Sequence, residues 1–214
     1  MSLAIPRLDR STTEDHGLTI ADFLVPIRVG ERVNTRVRDI ALVVAGALLI
    51  YLTARIVIPV PGSPVPITGQ TFGVLLVGAS LGLRRGLFAV SLYVLLGVVG
   101  LPFFAEGKGG LSVIWGARGG YLVGFMVAGA VVGRLAELGW DRRFTGAFGA
   151  MLAGSVIIYA IGLPWLMVVT GFTLEETITK GLTPFLVGDA LKLLLAAVLL
   201  PAAWWVVERR PDDR

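Results

Sequence analysis

"FLVGDALKLLLAAVLL", residues 185–200, is the stretch on which the fold turns. It is apolar apart from Asp189 and Lys192, and it runs on through "PAAWWVV" to 207. A helix that crosses a bilayer needs about 20 mostly apolar residues, and 184–207 supplies them. On insertion scales each charge costs about 2.5–3.5 kcal/mol at the centre of such a helix. A spacing of three places both on one helix face, where they offset each other. With Pro184 at the start, Asp189 lies about 7 Å and Lys192 about 12 Å along the helix at 1.5 Å per residue. That is below one membrane surface and short of the midplane. The plain alternative is an ion pair that only fixes packing, yet buried pairs seldom add stability over apolar residues. A polar ligand entering from outside accounts better for the location.

Five more stretches have the same character: 39–58, 66–83, 86–101 (short for a full crossing), 119–138 and 144–170. The chain is 55% hydrophobic and 16% charged, with mean hydropathy +0.81. Soluble domains carry about 25% charged residues, so this is a membrane composition. Within lipid every backbone polar group must be paired internally, which leaves helices for such segments. The expected fold is an all-α integral membrane protein of six transmembrane helices, filling 36–208. Residues 1–35 mix charge with short apolar pieces and lack a signal peptide's apolar core; they read as a cytoplasmic tail, disordered or lying on the surface. Residues 209–214 read as a second cytoplasmic tail.

Arginines give the orientation. Arg36, Arg38, Arg84, Arg85, Arg134, Arg142, Arg143 and Arg209 fall on one side if the helices alternate, and the other side has few. By the positive-inside rule both termini are cytoplasmic. Trp140, Trp204 and Trp205 then stand at cytoplasmic helix ends, as interface anchors do. The net charge of +4 belongs to these loops, and no nucleic-acid partner is expected. The outward connections are a proline-stiffened "PVPGSPVPITG", a glycine-rich 103–118 and a polar "GFTLEETITKGLTP", where Glu175 and Glu176 read as solvated charge. Pro164 is expected to kink the fifth helix. Small residues four apart, such as Ala41 and Ala45, mark close helix contacts.

Several chemistries are excluded. There is no cysteine, so no disulfide or thiolate site. "EGKGG" lacks the Ser or Thr and the glycine spacing of a phosphate loop. No triad, paired carboxylate or metal constellation is present, so neither an enzyme nor a cofactor is expected.

Three motifs in order, "VPGSPVPITGQTFGVLLVGASLG", "GLPFFAEGKGGLSVIWGARGGYLVGF" and "GDALK", resemble the BioY family, the biotin-binding S components of energy-coupling factor transporters. The resemblance covers about 39–205. It implies a multi-pass protein of a prokaryotic plasma membrane that captures biotin from outside with high affinity. A transmembrane coupling protein and two cytoplasmic ATPases supply the energy. The family's Gly-Asp-x-x-Lys pattern implies that Asp189 and Lys192 contact biotin. Its glycine-rich stretch implies a contact at Lys108, between glycines that include Gly109 and Gly110. Its Pro-x-Pro-x-x-x-Gln pattern falls on Pro64, Pro66 and Gln70. Its coupling-protein contact would be Ala41 and Ala45. The sequence departs from the family at Ala117-Arg118, where a Pro-Thr-type pair is common, and at Val187.

Biotin's chemistry suits these residues. A carboxylate accepts from a ureido N–H, and an ammonium donates to a carbonyl or pairs with a carboxylate. Tyr93, Tyr121, Trp115 and Trp165 are candidates to wall its apolar ring. The alternative is a stand-alone facilitator, or a secondary transporter of a small carboxylate with Asp189 as proton carrier.

Overall fold

The computed structural model of this chain describes residues 19–24 and 32–208. The major helices are α2 (Arg32–Ala54), α3 (Gln70–Val98), α5 (Gly119–Glu137), α6 (Phe144–Thr170) and α8 (Leu186–Glu208). Shorter pieces are α1 (Ile20–Leu24), α4 (Leu111–Trp115) and α7 (Leu174–Gly181). Five helical stretches are long and apolar enough to cross a membrane.

Helix α3 is not one rod. At Gly82 the backbone leaves helical geometry (φ 81°, ψ −178°), a left-handed φ that suits glycine. Its two arms, 70–81 and 83–98, lie side by side. A Cβ on Gly86 would stand 3.0 Å from the Gly78 Cα, and the Gln70 amide donates to the Tyr93 hydroxyl. Residues 23 apart on a straight helix would be separated by about 35 Å. The second and third stretches of the sequence reading are thus the arms of a hairpin. The first arm begins at Gln70 rather than 66, and the second ends at Val98 rather than 101.

Close approach of backbones holds this hairpin in the bundle. A Cβ on Gly78 would stand 2.5 Å from the Gly129 carbonyl oxygen of α5, and one on Gly133 2.5 Å from the Gly82 carbonyl carbon. Gly46 of α2 packs against Val77, Leu81 and Ala89, from both arms. Small residues let the helices meet at this distance and gain dispersion contacts that lipid does not replace. Pro164 lies inside helix α6, which stays helical on both sides of it. On α2 the packed face is Ala47, Ile50 and Ala54, while Ala41 and Ala45 are exposed.

The first outward connection is ordered by pairing. Val57–Ile58 and Ile67–Thr68 form a two-stranded antiparallel ladder, and the Ser63 hydroxyl between them donates to the Lys180 carbonyl at 2.7 Å. The polar connection expected before α8 contains helix α7. Thr173 and Glu176 make a reciprocal capping box there, which satisfies two of the orphan N–H groups at the helix start. Glu176 also pairs with Lys180 one turn on, so its charge is used as well as solvated.

Two features at the opposite end differ from expectation. Within 1–35, read as a surface-lying tail, Thr19, Ile20, Ala21 and Asp22 are buried. Asp22 pairs there with Arg38 and Arg85. Helix α2 also begins within that tail, at Arg32, and residues 1–18, 25–31 and 209–214 lie outside the described residues. Trp204, read as an interface anchor, is 2% exposed, and its indole N–H donates to Asp141 at 2.6 Å. Burial with a satisfied N–H suits an indole as well as an interface does.

Candidate functional site

Helix α8 places Asp189 in its first turn with Lys192 one turn on. The ammonium donates to Asp189 Oδ1 at 2.9 Å, and the two side chains are 8% and 20% exposed. Two further groups complete the setting. Thr71, from the first arm of α3, accepts from Lys192 at 2.9 Å and donates weakly to Asp189. Tyr159 of α6 donates a very short hydrogen bond to Asp189 Oδ2. Both carboxylate oxygens therefore have hydrogen-bond partners, as a polar group removed from water requires.

This cluster forms one wall of a cavity lined by apolar side chains and a few polar groups, the composition of a small-ligand site. Phe104, Phe125, Ile158 and Phe185 supply apolar lining. Gln70, Thr68 and Tyr121 add polar groups. Gln70 accepts from Thr68 and donates to Tyr93, so its amide orientation is set from two sides. The Tyr121 hydroxyl donates to the Gly181 carbonyl, which ties α5 to α7.

The stretch 103–118 covers the cavity from one end. Phe104 is 1% exposed and sits so close on Gly97 that a Cβ there would stand 2.3 Å from its ring. Gly109 passes the Leu101 carbonyl, where a Cβ would stand 2.3 Å away. Gly110 (φ 94°) donates to the Gly97 carbonyl at 2.7 Å. The glycines thus tie the covering segment to the end of α3. At its far end Gly119 and Gly120 allow α4 and α6 to close on the start of α5; a Cβ on Gly120 would stand 2.2 Å from Trp165 Cβ.

Of the residues expected to bind ligand, the structure brings Asp189, Lys192, Gln70 and Tyr121 to one cavity. Tyr93 lies beneath it, fully buried against Phe103 and Phe104. Gly109 and Gly110 shape the covering segment. Lys108 lies outside the lining, 55% exposed, with its ammonium 2.9 Å from Glu106. Trp165 donates to the Gly116 carbonyl and stacks on Trp115, which is exposed. The sequence reading passed over Thr71, Tyr159 and Arg118, all of which line the cavity. Arg118 had stood out as a departure from the family's pattern. Among the described residues no cluster could hold a metal ion.

Comparison with known proteins agrees in fold and sequence. The sequence pattern of the BioY family matches residues 28–209. A biotin transporter BioY of Thermotoga maritima is 39% identical over 158 residues, covering 74% of this chain and 92% of that protein. A biotin transporter BioY of Rhodobacter capsulatus is 35% identical over 178 residues, covering 78% of this chain and 90% of the relative. The crystal structure of the S-component for biotin from an ECF-type ABC transporter superposes with a TM-score of 0.75 at 24% identity, covering 82% of this chain and 95% of that one. These likenesses, with the apolar helices, make the chain a multi-pass membrane protein.

Proposed function

The chain belongs to the BioY family, and from that premise we propose that it takes up biotin as the substrate-binding subunit of an energy-coupling factor transporter. The observation that carries the reading is the Asp189–Lys192 pair, oriented by Thr71 and Tyr159, in the wall of a mostly apolar cavity. Biotin's ureido ring offers N–H donors to the carboxylate and a carbonyl to the ammonium. Its sulfur ring suits the apolar lining. The binding end faces the outside of the cell membrane, six helical arms cross the bilayer, and both termini are cytoplasmic. The coupling protein and two ATPases supply the energy, in keeping with the lack of a phosphate-loop motif in this sequence. Ala41 and Ala45, exposed on α2, are the proposed contact with the coupling protein.

The test is calorimetry on the purified protein and on Asp189→Asn. Wild type binds biotin. The variant weakens binding by roughly a hundredfold, as expected when a charged hydrogen-bond partner is lost and Lys192 is left uncompensated. Equal affinity in a folded variant would remove Asp189 from the site. Uptake into vesicles with the chain alone, and with the coupling proteins added, separates a substrate-binding subunit from a self-sufficient carrier.

A further inference from the structure

The charges at the cavity mouth do not balance. Glu106 meets two cations: Lys108 Nζ at 2.9 Å and Arg118 Nη2 at 2.5 Å. Among the described residues Asp189 is the one acid lining the cavity, and none lines the vestibule outside it, so Glu106, beside both linings, is the acid these two cations share. Deeper in, Asp189 and Lys192 already offset each other. The mouth is therefore one carboxylate short.

The two cations are placed differently. Lys108 is 55% exposed and lines only the vestibule. Arg118 is 15% exposed and lines both vestibule and cavity. It stands at the neck between them, while Asp189, Lys192 and Thr71 mark the cavity's other end, where a smaller inner space begins. A guanidinium carries five N–H donors in a planar fork that matches a carboxylate. The acceptors recorded for Arg118 are Glu106 and the Ala105 carbonyl, the latter at 3.4 Å, so the fork retains donors for an incoming anion. Glu106 itself adopts a left-handed backbone (φ 62°), the one non-glycine to do so among the described residues. Such conformations persist where the surroundings hold them.

We propose that Arg118 anchors the ligand's carboxylate at the mouth of the cavity, and that Glu106 holds Arg118 ready in the empty protein and falls back on Lys108 when Arg118 turns to the ligand. The pair deep in the cavity then reads the ring, and the neck reads the tail. Lys108 acts on Glu106 rather than on the ligand. The Glu106 carboxyl is held down at about 2, by Lys108 first and Arg118 second, so it keeps its charge and one cationic partner after the exchange. The proposal rests on the biotin reading only for the ligand, a cyclic urea with a carboxylate tail.

Calorimetry with biotin and with biotin methyl ester decides it, since the ester keeps the ring and lacks the charge. Wild type should prefer the acid. Arg118→Gln should weaken biotin binding roughly ten- to a hundredfold, the usual range for one charge-assisted contact, and leave the ester unchanged. Equal binding of acid and ester by wild type overturns the anchor while leaving the biotin reading intact. Equal losses for both ligands in Arg118→Gln overturn it too, by reducing Arg118 to a structural role. If that variant does not fold, Glu106→Gln takes over: it releases Arg118, so the acid-over-ester preference should rise, and an unchanged preference overturns the proposal. Wild type binding neither compound is the separate failure of the biotin reading itself.

Discussion

Asp189 shows how a charge is kept in an apolar wall. One oxygen faces Lys192 and Thr71 and the other faces Tyr159, so three elements fix one side chain. Ligand binding at such a site needs little reordering, because the acceptor is already oriented before the ligand arrives. Tyr159→Phe removes one hydrogen bond to a charged group without opening a void. We expect biotin binding to weaken by roughly tenfold, with fold and expression unchanged. Calorimetry checks this, and unchanged affinity would make Tyr159 a packing residue. The acid and base of the pair were legible in the sequence because charges in an apolar run are conspicuous. Tyr159 and Thr71 were not. A tyrosine in "VIIYAIGL" or a threonine in "GQTFGV" reads as packing, and only the fold brings positions 30 and 118 residues from Asp189 to its oxygens. Arg118 was visible as a departure from the family pattern, but its place at the neck depends on the turn through Gly116 and the close packing of Gly119 and Gly120.

At the scale of elements, each apolar run appears as a helix or an arm of one, because lipid leaves the backbone no other solution. Turns were harder to read. Gly82 sits among other glycines in "GASLGLRRG", and nothing local says that it carries the left-handed φ. The capping box of α7 was present as Thr173 and Glu176, but the surrounding charge masked it. Helix α2 is one of the elements with an exposed apolar face. Val37, Ile40, Val44, Leu48 and Leu52 are exposed along it beside Ala41 and Ala45, whereas Gly46, Ala47 and Ile50 pack on α3. Lipid alone would accept large residues everywhere on that face. Two alanines one turn apart instead leave a shallow track for a partner helix. Ala45→Val narrows it by two methyl groups and touches no packed neighbour, so we expect unchanged biotin binding and reduced assembly with the coupling protein. Co-purification of the complex measures this. Full assembly in both Ala41→Val and Ala45→Val would assign the track to lipid.

Taken whole, the molecule keeps its ligand chemistry at one end and buried charge at both. At the end away from the cavity, Asp22 joins Arg38 and Arg85, while Asp141 joins the α5–α6 connection to α8 through Trp204. Asp141 is 1% exposed, and its Oδ1 has no hydrogen-bond partner. Burial pushes its carboxyl up to about 6 from an ordinary 3.8, with the Trp204 indole only partly opposing the rise. A carboxyl raised in the folded state holds its proton there over a range in which the unfolded chain has lost it. Its contribution to stability is therefore full below about pH 4 and lost as pH climbs through about 6. At about 1.4 kcal/mol per unit, the loss is about 3 kcal/mol. Asp141→Asn keeps an acceptor for the indole and cannot ionise. We expect its thermal midpoint in detergent to lie above that of wild type at pH 7.5 and the gap to close as the pH is lowered toward 4.5. Biotin affinity should not change, since the residue lies at the other end of the bundle. A gap independent of pH would show that Asp141 is not ionising in this range, and a less stable variant at pH 7.5 would show that the charged form is the one the bundle holds.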